Sequence, residues 1–103
     1  MYPLKSAVSP WIYTVLQEQF GKLFADKMAQ ALIEADLPSQ PAALCDRIHI
    51  AIIKQADGDP KKFLMALKIA KTDWRKILIS SNMAGSQWRQ KLSQEGIQPP
   101  LVS

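Results

Sequence analysis

The chain has 103 residues, 48% of them hydrophobic and 21% charged, with a formal charge of +4 at neutral pH. That length suits one hydrophobic core and is too short for two, and the composition is that of an ordered globular domain. No apolar run reaches the roughly 18 residues of a membrane helix, the first residues lack a secretory pattern, and Cys45 stands alone, which together point to a cytoplasmic chain without an intrachain disulfide.

Ser9-Pro10 predicts a helix start, with serine free to cap and proline at home in the first turn. Trp11, Ile12, Val15 and Leu16 share one face of that helix up to Phe20. Beyond Gly21 the stripe becomes Phe24, Met28, Ala31 and Leu32, rotated well away from the first. A straight rod would then be apolar on two sides, so either Gly21 bends or breaks it, or both faces are covered. Leu37-Pro38-Ser39-Gln40-Pro41 predicts a turn. The helix after it, to about Ala56, has Leu44, Ile48, Ala51 and Ile52 as its stripe, widened by Cys45, Ile53 and Ala56, the breadth expected of the most buried helix.

Asp57-Gly58-Asp59-Pro60 reads as a helix end followed at once by a helix start. From Pro60 to about Lys71, Phe63, Ala66, Leu67 and Ala70 face inward while Lys61, Lys68 and Lys71 lie near the opposite side. Thr72 or Asp73 caps a further helix carrying Trp74, Ile77, Leu78 and Ser81. A turn over 82–85 leads to a short last helix, capped by Ser86, with Trp88 and Leu92 facing in and Gly96 at its end. The fold class predicted is all-α, a compact bundle of about five or six helices in a single domain, with an ordered core of about 9–95 and an extended Pro-containing tail over 96–103.

Few residues offer chemistry. Cys45 and His49 are four apart on a helix, which brings a thiol and an imidazole to one side, the pairing that activates a cysteine nucleophile. No oxyanion hole or glycine-rich approach accompanies them, and the more economical reading is a small core residue beside a histidine. One cysteine and one histidine do not make a zinc site, Asp57-Gly58-Asp59 lacks the later ligands of a calcium loop, and no phosphate-binding glycine pattern occurs. No catalytic residue, cofactor or metal is assigned.

Charge is unevenly placed. Residues 1–50 carry four lysines and arginines against five acids, residues 51–103 nine against four. Lys61, Lys62, Lys68, Lys71, Arg75, Lys76, Arg89 and Lys91 face Asp73 alone between them and form a candidate surface for an anionic partner. The helices either side of 82–85 would allow a helix-turn-helix with Gln87, Arg89, Gln90 and Lys91 toward bases, although Trp88 and Leu92 are its sole interior positions. Met1, Tyr2, Tyr13, Ile50, Ile79, Met83 and Leu101 lie off the stripes and exceed what a small core encloses. Trp11, Trp74 and Trp88 read as core and seam residues. The sequence is therefore read as a non-enzymatic helical interaction module that self-associates or binds a protein partner. The alternative is a nucleic-acid-binding or regulatory protein using the basic surface. Neither a membrane nor a small-molecule substrate is expected.

Overall fold

The computed structural model describes residues 8–35, 37, 42–81, 83, 85 and 87–97. Among them five helices and no strand are found: α1 (Pro10–Glu34), α2 (Ala42–Ala56), α3 (Pro60–Thr72), α4 (Trp74–Ser80) and α5 (Trp88–Gln94). The all-α class expected from apolar periodicity is the one observed.

Apolar residues at consecutive positions of a helix point in every direction, so such a helix must be covered all round. This is the situation of α2, where Ile48, Ile50, Ala51, Ile52 and Ile53 are all fully buried and His49 is 2% exposed. Helix α2 packs against α1, α3 and α4, and α3 packs in turn on α4. From α3 come Phe63, Ala66, Leu67 and Ala70, and from α4 Ile77 and Leu78, the positions expected from their spacing. Trp88 and Leu92 of α5 complete the core.

The conflict between the two stripes of α1 is resolved in the backbone. Gly21 has φ 85° and ψ 159°, a conformation open in practice to glycine alone, and the helix breaks there into two segments with separate buried faces. Ile12, Val15 and Leu16 are buried before the break, and Ala25, Met28, Ala29 and Leu32 after it. The second face corrects the predicted one. Ala25 and Ala29 lie inward, where their small side chains admit close packing, while Phe24 is 47% exposed and Ala31 half-buried. Phe20 meets Phe63 of α3 edge to face at 6.0 Å, and the Tyr13 hydroxyl donates to Asp26 across the break.

Helix ends follow the predicted punctuation with two corrections. Asp59 accepts from the Lys61 amide at 2.9 Å, and Asp73, which closes α3, opens α4 by accepting from the Arg75 amide at 3.2 Å. Asp57 and Gly58 both adopt the left-handed region between α2 and α3. Ser9 occupies the N-cap of α1, but instead of capping an amide its hydroxyl donates to Asp46 Oδ1 at 2.6 Å. Trp11 Nε1 donates to Oδ2 of the same carboxylate at 3.1 Å. A charged acceptor makes the stronger bond, and it ties the start of α1 to α2.

The second correction concerns α5, whose N-cap position is Gln87, without a side-chain bond. At its other end the Ile97 amide reaches the Leu92 carbonyl at 2.9 Å and the Gly96 amide the Ser93 carbonyl at 3.1 Å, a paired closure of the last turn. Ile97 packs on the core, so residues 96 and 97 belong to this cap rather than to a tail. The tail from 98 onward, the turn positions 38–41, 82 and 84, the expected cap Ser86 and residues 1–7 lie outside the described residues.

Apart from its chain neighbours and the adjoining helix backbone, no atom lies within 4 Å of the position a Cβ would take at Gly21, so a side chain there meets backbone strain alone. Gly21→Ala is expected to lower unfolding free energy by about 1–3 kcal/mol, read as a lower urea midpoint at unchanged slope. An unchanged midpoint would show that the fold does not hold the break in this conformation.

Candidate interaction face

Helix α2 does bring Cys45 and His49 together, with Sγ 3.7 Å from Nε2 and 3.9 Å from Nδ1. Both are buried, at 7% and 2% exposure. Burial pushes the Cys45 thiol up, and the neighbouring Asp46 carboxylate adds to the shift. Burial pushes His49 down to about 4 against the opposing pull of Asp46. At neutral pH the pair is thus a thiol beside a neutral imidazole, whereas a cysteine nucleophile works as thiolate. Among the described residues no group of three or more His, Cys, Asp or Glu is placed to hold a metal ion.

The eight basic residues stay at the surface but are drawn from three helices. Lys61, Lys62, Lys68, Lys71, Arg75 and Lys76 are exposed, whereas Arg89 and Lys91 are half-buried. Arg75 stacks over Trp74 and Arg89 over Trp88, each 4.6 Å from the ring centroid. Trp88 is buried and Trp11 and Trp74 are half-buried, in keeping with core and seam positions. Helices α4 and α5 are not among the closely packed pairs of the described residues. The connection between them is pinned to α2 instead. Arg47 donates through Nε to the Met83 carbonyl at 2.6 Å and through a terminal nitrogen to Gly85 at 2.9 Å. Two turns further along, Lys54 reaches the Ser81 carbonyl at 3.3 Å and the Glu95 carboxylate at 2.8 Å.

The apolar surplus falls on other residues than the sequence indicated. Ile50 and Met83 are fully buried and Tyr13 is half-buried against the core. Ile79 is 70% exposed as expected, and Met1, Tyr2 and Leu101 lie outside the described residues. Besides Ile79, the large apolar side chains left in solvent among the described residues are Leu23, Phe24, Leu64, Met65 and Ile69. Leu64, Met65 and Ile69 flank the Lys61–Lys68 crest of α3, which makes this short helix apolar on its inner face and on both shoulders. A signal was present in the sequence, since all three residues fall outside the Phe63, Ala66, Leu67, Ala70 stripe.

Each shoulder borders a groove. Phe24 and Leu64 form the lips of one, between the second segment of α1 and α3, with Met28, Phe63 and Pro60 as its floor and Lys27 beside them. Met65 and Ile69 border the other, between α3 and α2, with Gln55 and Lys62. No helix among the described residues is long and apolar enough to cross a membrane. Comparison of the chain with family models, with curated proteins and with solved structures finds no match.

Two measurements bear on the buried pair. The Cys45 thiol of the folded chain is expected to react with a disulfide reagent at neutral pH at least roughly tenfold more slowly than in urea, because its thiolate is suppressed; equal rates would contradict this. For His49, whose folded pKa lies below its ordinary 6.5, the neutral form stabilises the fold fully above that value. The contribution is lost as pH falls from 6.5 toward 4, by at most about 3 kcal/mol. His49→Leu should flatten the profile of urea midpoint against pH between 6.5 and 5, above the ordinary carboxylate range; an unaltered slope there would assign the acid sensitivity to other groups.

Proposed function

We propose that the chain is a non-enzymatic helical module that works by holding a second protein, either a partner or another copy, on the face built by α3 and the second segment of α1. The observation that carries this reading is the exposure of Phe24 and Leu64 at one groove and of Met65 and Ile69 at another, on the two shoulders of α3. Isolated apolar side chains at a surface are ordinary, but exposed pairs at the rim of a groove mark contact surface. The groove bordered by Phe24 and Leu64 has a volume of about 190 Å³, below the roughly 300–1,000 Å³ of sites that enclose small molecules. It suits a side chain projecting from another protein.

A second reading, nucleic-acid binding, is supported by the exposure of Lys61, Lys62, Lys68, Lys71, Arg75 and Lys76. A photo-crosslinking residue in place of Leu64 separates the two. Protein crosslinks in cells are expected from position 64 and not from the same group at Gln90 on α5; crosslinks from neither, or equally from both, would remove the α1–α3 face from consideration. Sedimentation of the purified chain with random-sequence DNA or RNA at about 50 and 200 mM salt tests the second reading, which requires a salt-sensitive complex.

A further inference from the structure

The charges around the two grooves say more about the occupant than their apolar floors do. We infer that the occupant is an acidic amphipathic helical segment of a different protein, seated with its apolar row in the α1–α3 groove and its carboxylates on the lysines of α3. This rests on the reading of that face as a docking surface.

Lys27 is the charged residue lining the first groove and Lys62 the one lining the second. Between and beside them α3 exposes Lys61, Lys68 and Lys71, and the helix contains no acidic residue. The carboxylates of the same elements, Asp59, Asp26 and Glu34, accept from the Lys61 amide, from Tyr13 and from the Gln30 side chain at 2.7 Å; these neutral donors leave their charge in place, but Lys27, Lys61, Lys62, Lys68 and Lys71 outnumber them. The face thus presents positive charge around apolar clefts, and an occupant with alternating carboxylate and apolar sides complements both. Helix-in-groove docking has this form, with anchors at i, i+3 or i+4, and i+7.

The same charges argue against the other occupants. Two copies joined about a two-fold axis would set Lys27, Lys61, Lys62, Lys68 and Lys71 against themselves, and juxtaposed like charges are costly at an interface. Nucleic acid would bring phosphates to the lysines but would bury Leu64, Met65 and Ile69 against a polar backbone, whereas interfaces of that kind are the more polar ones. An anionic bilayer is broad and smooth and leaves a concave groove unfilled.

Selection from a random-sequence peptide library of about 15 residues, roughly four helical turns, displayed against the intact chain tests the inference. Sequences enriched in Asp and Glu with apolar residues at helical spacing are expected. Their affinity should fall at least tenfold for Leu64→Asp, an exposed position where the fold is kept, as checked by circular dichroism. The double variant Lys27→Glu with Lys62→Glu should shift selection toward basic sequences. Enrichment of neutral or basic peptides on the unaltered chain, still lost in Leu64→Asp, overturns the acidic partner while leaving the docking face in place. Peptides indifferent to Leu64→Asp, or no enrichment, overturn both. Binding of duplex DNA or phosphatidylserine vesicles that an acidic peptide does not compete away reassigns the face to phosphate groups.

Discussion

Everything in this fold is arranged around a helix that has to be covered on all sides. Ile48 to Ile53 of α2 are buried without interruption, His49 included, so over that stretch the helix leaves no face for water. In a chain of this length the covering must come from helices that are short, or from one that changes direction. Helices α3 and α4 supply the first solution, joined almost without a linker at Asp73, and α1 supplies the second by breaking at Gly21. The break lets two stripes on one long stretch of sequence both find apolar neighbours. Its cost in backbone freedom falls on the residue type best able to bear it.

The polar side chains of α2 extend the same organisation. Asp46 collects Ser9 and Trp11 at the start of α1, Arg47 holds the carbonyls of Met83 and Gly85, and Lys54 joins Ser81 to Glu95. These bonds reach from one central helix to the ends of α1, α4 and α5 and to the connection between the last two. Bonds with a charged partner are the stronger class, and here they fix connections rather than add to the core. Cys45 and His49 belong to this interior, where a neutral pair is the state burial favours.

Apart from Ile79 on α4, the large apolar side chains that the core does not use collect on α3 and the second segment of α1. Helix α3 is apolar over more of its circumference than one neighbour can cover, and its lysines keep the remainder in water. That combination leaves a face with two demands, removal of apolar groups from solvent and neutralisation of positive charge. An acidic amphipathic segment, the occupant we propose, would answer both, and the basic excess of the second half of the chain would then act in partner choice.

Much of the architecture is determined by the sequence alone. The all-α class, the Asp57–Pro60 and Asp73 boundaries, the buried stripes of α3 and α4 and the dominance of α2 follow from local physics, since periodicity and caps act within one helix. Tertiary structure decided the rest. Whether Ile50 and Met83 are inside, and Phe24 and Leu64 outside, depends on which neighbour covers a given side of a helix, and periodicity gives a helix's phase only relative to itself. The redirection of Ser9 from its own helix to Asp46 has the same origin, because the better acceptor stands 37 residues away and becomes available only once α1 and α2 are packed.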